Sequence, residues 1–262
     1  MDGISDADLH FCNAYEEGGN VILDVIRSDT KKVNNSAAGK SWPWATSINE
    51  YESSSSRKSL WRYTVQVKAG IVSKECISEK QTYFGVINPA KSSQKYNYIY
   101  AAVGADGDHN TSRVVPPQGI IKINTETKET QSWYPEEFEF CGEPMYAPRK
   151  SDDENSEEDS GYILSVLLNG SKKESELIVL EASDIAKGPI SRIPLGIAIP
   201  HGLHGVFASS DECNWSEEEI ERRAKLSDKM ESRGNMWNEV KSDFSGLGLR
   251  LDDFEEYFGE IL

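Results

Sequence analysis

Histidines are the residues in this chain best suited to hold a metal ion at neutral pH, and there are four: His10, His109, His201 and His204. His201 and His204 stand three apart, but Pro200, Gly202 and Gly205 exclude a regular helix there. The helical i,i+3 metal pattern therefore does not apply. The four cysteines, Cys12, Cys76, Cys141 and Cys213, are scattered, with no CxxC pair. That spacing points to free reduced thiols rather than a thiolate zinc site or a disulfide framework. There is no G-x-S-x-G elbow, no P-loop and no H-E-x-x-H. The segment Arg149–Ser160 carries six acidic residues in twelve, but it lacks the Asp-x-Asp-x-Asp-Gly spacing of a calcium loop. It reads as a solvated charge run.

Charge narrows the partners. Asp and Glu total 44 against 28 Lys and Arg, a formal net charge of −16. Phosphate backbones repel such a chain, so nucleic acid is not an expected partner. No run reaches the ~18 apolar residues of a membrane helix. Met1 is followed by Asp2 and Asp6, so the start has neither a secretory nor a transit-peptide pattern. This leaves the compartment open between cytoplasm and plastid.

The spacing of the histidines alone proves little, and the elements around them read mainly as strands. Val65 and Val67 alternate with polar neighbours, and Tyr96, Tyr98 and Tyr100 alternate with Asn97 and Ile99. Period-2 alternation predicts strands with one face in the core and one toward water. Further strands are expected at Val21–Arg27, Gly119–Asn124, Thr130–Tyr134, Gly161–Leu168 and Glu176–Glu181, with a polar hairpin turn over Asn124–Glu129. Ser28–Ser59, rich in Ser and Asn around Trp42-Pro43-Trp44, and Arg149–Ser160 read as surface loops. Many short strands with close turn signals predict an all-β propeller, sandwich or barrel over residues 1–210. Residues 211–262 differ, with 15 acidic and 7 basic residues. There Ser216 and Glu219 form a capping box, and Ile220, Ala224, Leu226 and Met230 recur near helical spacing. A weaker helical signal follows from Leu251 to Leu262. The tail reads as an acidic, helical or partly disordered appendage.

Five segments carry a more specific signal. They are Leu9-His10-Phe11-Cys12-Asn13-Ala14-Tyr15-Glu16-Glu17, Phe84-Gly85-Val86-Ile87-Asn88-Pro89 with Tyr98-Ile99-Tyr100-Ala101, Cys141-Gly142-Glu143-Pro144-Met145-Tyr146-Ala147-Pro148, Glu157-Glu158-Asp159-Ser160-Gly161-Tyr162, and Ile199-Pro200-His201-Gly202-Leu203-His204-Gly205-Val206-Phe207. In order and separation they resemble the "FHxxNAYEE", "FxxxNP…YxYA", "GGEPxFVP", "EDDGY" and "VPxGFHGxF" stretches of carotenoid cleavage oxygenases. The resemblance covers residues 8–207 and corresponds to the C-terminal half of that family's chain.

The resemblance implies a seven-bladed β-propeller, here its C-terminal blades, with an Fe(II) cofactor held on the axis by four histidines. His10 matches the third ligand and His204 the fourth; the first two correspond to positions upstream of Met1. Glu143 matches a glutamate that orients a ligating imidazole by taking its other N–H. A second such glutamate is replaced by Tyr83, a phenol that supplies no full negative charge at neutral pH. His201 replaces an aromatic or apolar residue and is expected near the ligands or at the surface, and His109 in a solvated loop. Asn13–Glu17 are expected to shape the turn after the His10 strand. Trp42, Trp44, Trp61 and Tyr63 are candidates for a polyene tunnel or for ordinary core. The implied activity is cleavage of a conjugated carbon–carbon double bond of a carotenoid or apocarotenoid by dioxygen, with stilbene-like phenylpropenoids as a lesser option. Peripheral membrane contact would belong to the N-terminal half of the family's chain. The alternative is a truncated or degenerate propeller that binds a partner without catalysis.

Overall fold

In the computed structural model of the chain, residues 9–28, 58–104, 117–149, 157–199 and 204–209 are described, with Ser216, Glu221 and Arg222 beyond them. Two compact units, Met1–Phe207 and Ala208–Leu262, divide the chain, and every strand among the described residues lies in the first. His109, His201, Trp42, Trp44, the capping-box helix beyond Arg222 and the Leu251–Leu262 helix lie outside the described residues. No helix among the described residues is long and apolar enough to cross a membrane.

The strands follow one another in three antiparallel meanders. The first sheet runs β1 (Leu9–Glu17), β2 (Asn20–Ser28), β3 (Lys58–Gln66), β4 (Ile71–Ser78). The second runs β5 (Thr82–Val86), β6 (Tyr98–Gly104), β7 (Pro117–Asn124), β8 (Thr130–Trp133). The third contains β9 (Glu139–Cys141), β10 (Met145–Ala147), β11 (Tyr162–Asn169), β12 (Glu174–Glu181) and β13 (Ser191–Pro194). Both β9 and β10 pair with β11, so they form one strand position interrupted by Gly142–Pro144. Sequence neighbours are spatial neighbours in each sheet, the arrangement of consecutive propeller blades.

The core lies between sheets. Ile22, Ile26, Leu60 and Ile77 of the first sheet pack on Ile99, Ala101, Val103, Ile121 and Ile123 of the second. Tyr100 and Ile120 turn the other way, onto Tyr146, Ile163, Leu167, Ile178 and Leu180 of the third. This corrects the expectation for β6: Ile99 and Tyr100 are 0% and 1% exposed, so neither face meets water. A sheet sandwiched between two others needs apolar residues on both phases of the alternation. Val67, by contrast, is exposed, and the buried residues of β3 are Ser59, Leu60 and Tyr63. The β7–β8 turn forms as the sequence predicts, with Asn124 Oδ1 accepting from the Glu126 and Thr127 N–H groups.

Polar ties cross the same seams. Asp24, fully buried, takes Arg62 in a two-pronged pair at 2.8 and 2.9 Å and the Tyr96 hydroxyl from the second sheet. Lys122, 5% exposed, donates to Asp159 at 2.6 Å and to the Ser183 carbonyl at 3.0 Å, with its ammonium 4.2 Å from the Tyr98 ring centroid. Glu158 accepts the Asn97 and Tyr98 N–H groups. At the described end of the acidic run Glu157 is exposed, but Glu158 and Asp159 are half-buried and hydrogen-bonded rather than simply solvated. Two of its carboxylates turn inward because a buried ammonium and unpaired strand-end N–H groups need them. Likewise Ser28 ends β2, and Lys58 and Ser59 begin β3; 29–57 lies outside the described residues.

A third carboxylate gives a pH prediction. Glu139 is 4% exposed and accepts from Arg192 at 2.7 Å and Asn169 at 3.1 Å, while Arg192 also reaches Glu176 at 2.5 Å. Burial alone would raise its pKa, but the Arg192 hydrogen bond and charge outweigh it and hold the carboxyl below its ordinary 4.5. The folded state thus binds this proton more weakly than the unfolded state. The contribution is complete above the ordinary value and is lost as pH falls through the depressed one. Glu139→Gln is expected to lower stability near neutrality and to flatten the acid limb below pH 4.5 in urea titrations. Parallel acid limbs for the two proteins would remove Glu139 from that account.

Candidate metal centre

The first strand position of each sheet delivers one element of the site. His10 is the second residue of β1, opposite Ile26, just before a bulge between Phe11 and Asn13. Asn13 fixes that bulge by bridging to the second sheet: its Nδ2 donates to the Lys91 and Gln94 carbonyls, and its Oδ1 accepts the Ser93 N–H. Asn13 is therefore a cross-sheet tie inside β1 rather than a shaper of the following turn, because β1 continues to Glu17. On β5 the pairing with β6 slips between Tyr83 and Val86, and Phe84 in that slip has φ 55°. A left-handed backbone at a bulky residue costs roughly 1–3 kcal/mol and persists only where the surroundings impose it. Gly85 shows what imposes it. A Cβ there would lie 2.5 Å from Cys12 Sγ and 3.0 Å from Ile26 Cδ1, so β5 runs tight against β1 and β2. Glu143 stands in the break between β9 and β10, and His204 in the segment after β13.

Three of the four residues singled out in the sequence come together. The His10 and His204 ring centroids lie 5.6 Å apart, tilted by 57°. His204 Nδ1 lies 3.1 Å from Glu143 Oε1, and Glu143 Oε2 accepts the Gly205 N–H at 2.5 Å. One carboxylate thus fixes the ring and the chain that carries it. With Nδ1–H given to Glu143, His204 presents the Nε2 lone pair. The fourth residue, Tyr83, sits one position away on β5, buried with Phe84 and Ala102, and its hydroxyl accepts from Gln81 Nε2. Phe84, the first residue of the Phe84–Pro89 segment, touches both imidazoles: its centroid is 5.4 Å from His10 and 5.8 Å from His204, edge-on to each. A bulky residue followed by Gly in a strand is the one local signal that marked it.

These two imidazoles suit one metal ion. Rings bound to a shared divalent ion through nitrogens about 2.1 Å away hold their centroids roughly 4.5–6 Å apart. Among the described residues no group of three or more His, Cys, Asp or Glu is placed to hold a metal, so the two imidazoles alone would supply two of its ligands.

A family model described as Retinal pigment epithelial membrane protein (RPE65) matches residues 7–209. The chain belongs to the RPE65/carotenoid cleavage oxygenase family. The chain is 29% identical over 208 residues to an apocarotenoid-15,15'-oxygenase from Synechocystis, covering 77% of this chain and 38% of that protein. It is 26% identical over 209 residues to a chromoplastic zeaxanthin 7,8(7',8')-cleavage dioxygenase from Crocus sativus, covering 78% and 51%. The crystal structure of cobalt-substituted Synechocystis ACO superposes with a TM-score of 0.61 at 28% identity, covering 76% of this chain and 39% of that one. The three meanders are thus part of the family's β-propeller, and the chain spans about 38–51% of the length of these curated relatives.

Within the carotenoid oxygenase segments, Asn13, Asn88 and Glu158 tie one sheet's segment to the next. Asn88 donates to Tyr146 Oη and the Glu158 carbonyl, and its Oδ1 caps the turn at Ala90. Gly161 leaves no room for a side chain, since a Cβ would lie 2.6 Å from the Ala147 carbonyl and the Tyr146 hydroxyl. These residues hold the inner strand positions in register, and His10, Phe84, Glu143 and His204 depend on that register.

Proposed function

We propose that this chain is part of an iron(II) dioxygenase that cleaves a conjugated carbon–carbon double bond of a carotenoid or apocarotenoid into two carbonyl products. The observation that carries the reading is the pair of imidazoles 5.6 Å apart, one oriented by a carboxylate. His10 and His204 would hold the ion, and Glu143 would keep His204 in the tautomer that offers Nε2. Iron(II), when bound, supplies redox activation of dioxygen at positions that neutral imidazoles leave open. The chain's own contribution is placement: Phe84 walls the imidazole pair with an apolar ring, and Tyr83 and Ala102 behind it keep that side dry. The names of the two relatives, an apocarotenoid oxygenase and a zeaxanthin-cleaving dioxygenase, support the substrate class. A cobalt-substituted structural relative supports a divalent ion.

A second reading, a propeller that binds a partner without catalysis, is favoured by Tyr83. Its phenol stands where the family pattern has a carboxylate, and it hydrogen-bonds Gln81. One experiment separates the two. The chain is loaded anaerobically with ferrous iron, given an apocarotenoid, and exposed to ¹⁸O-labelled dioxygen. Bleaching of the polyene absorption with label in the aldehyde products is the expected result. Unchanged polyene alongside retained ferrous ion would favour the binding protein.

A further inference from the structure

We infer that Phe84 is the positioning residue of the imidazole pair: its left-handed backbone at the β5 slip drives its ring against both His10 and His204 and sets their separation. The inference deepens the proposed metal reading and rests on it for its consequence, though not for its geometry.

Three observations converge on this residue. Phe84 is 5% exposed yet makes edge-on contacts with both imidazoles, at 5.4 and 5.8 Å. Edge-to-face contact at such distances is a preferred, directional arrangement of aromatic rings, so it restrains tilt as well as distance. In an unbroken strand, Tyr83 and Phe84 would point to opposite faces. Here the slip between Tyr83 and Val86 leaves both rings buried in one cluster with Ala102, their centroids 6.4 Å apart. Finally, the slip is closely packed: a Cβ at Gly85 would lie 2.5 Å from Cys12 Sγ, two residues from His10 on β1, and 3.0 Å from Ile26 Cδ1, opposite His10 on β2. A shift of the Phe84–Gly85 backbone toward the first sheet has to displace those two side chains, which flank the strand position of His10.

Consequences differ for the two histidines. Glu143 already restrains the His204 ring through Nδ1 and its chain through Gly205. The restraint that Phe84 adds touches both rings, so its loss should change the separation of the pair while the His204–Glu143 contact persists.

The test has a metal-free arm and a metal arm, both on the full chain with ring-labelled histidine. In the metal-free arm, cross-relaxation between the His10 and His204 ring protons is measured for the natural protein, Phe84→Ala and Phe84→Leu, with His10→Gln and His204→Gln providing assignments. The cross-peak is expected in the natural protein, lost in Phe84→Ala, and recovered in part by Phe84→Leu, which restores bulk. Backbone amide spectra establish that each variant is folded. A cross-peak of unchanged intensity in folded Phe84→Ala would overturn the inference. So would its loss in folded Phe84→Leu to the same degree as in Phe84→Ala. In the metal arm, Co(II) alone is titrated and followed by its visible ligand-field absorption. Phe84→Ala is expected to weaken binding by about tenfold and to shift the band, as loss of a ligand-orienting neighbour does. Should the natural protein bind Co(II) no better than His10→Gln, the metal reading fails, while the metal-free arm still decides the role of Phe84.

Discussion

Asp24→Ala is expected to destabilise the chain by about 3–5 kcal/mol, the cost of removing one partner from a buried ion pair. Asp24 has no exposed surface, and its carboxylate holds three hydrogen bonds: two from Arg62 and one from Tyr96. Arg62 is itself 13% exposed and continues to Glu126 at 2.8 Å, on the β7–β8 turn. Removing Asp24 leaves a largely buried guanidinium with only that half-exposed carboxylate. It also takes from the Tyr96 hydroxyl an acceptor at a site where burial, and then the Asp24 charge, push the phenol well above its ordinary range. Surface pairs such as Lys95–Glu17, both half exposed, contribute little by comparison because water and salt screen them. Asp24→Asn keeps an acceptor for Tyr96 but not the charge, so it should fall between. The double variant Asp24→Leu with Arg62→Met removes both charges and should recover most of the loss, since the seam around it is apolar. Urea midpoints at unchanged slope measure all three. A loss below about 1 kcal/mol for Asp24→Ala would mean that the pair is solvated in the folded chain.

The sequence pattern marks β2, β7, β11 and β12, eight or nine residues each and rich in Val, Ile and Leu, to within two residues of their ends, because such runs bounded by polar or turn residues read as strands. The inner positions escaped it. β5 is five residues with a left-handed Phe84 and a Gly85, and β9 and β10 are three residues each around Gly142–Pro144. Local propensity is weakest there because the backbone is bent to serve a neighbour rather than a ladder, as happens at sites. The same conflict hid the site. Nothing in the spacing of His10 and His204 marks them as partners; only the resemblance of their flanking words did. It also directed attention to Tyr83, the changed residue. The ring that meets both imidazoles is its neighbour Phe84, because the slip in register brings both side chains into one cluster instead of onto opposite faces. The acidic run misled for a different reason. Composition counts carboxylates, and it does not report that Lys122 is buried beside one of them.

On the proposed reading, His10→Ala and His204→Ala are each expected to reduce retained metal to background, a larger effect than any neighbouring change. Glu143→Gln separates ligation from orientation. Its amide oxygen can still accept one N–H, but the charge that favours the donated Nδ1–H is gone, so affinity should fall by roughly 10–100-fold rather than vanish. Misfolding is a poor explanation for the histidine results. The His204 side chain is 57% exposed and His10 is only half-buried, so truncating either removes little core. Thermal midpoints within a few degrees of the natural protein should accompany the loss of metal. Metal content after ferrous loading and gel filtration reads the series, with Co(II) as an oxygen-stable check. Phe11→Ala, one residue from His10 on the exposed face of β1, serves as the control that should retain metal. The discriminating pattern is the order natural protein, Glu143→Gln, then the two histidine variants together at the bottom. Equal metal in His10→Ala and the natural protein would show that the ion, if held, is held elsewhere, and the pairing of the two imidazoles would lose its chemical meaning.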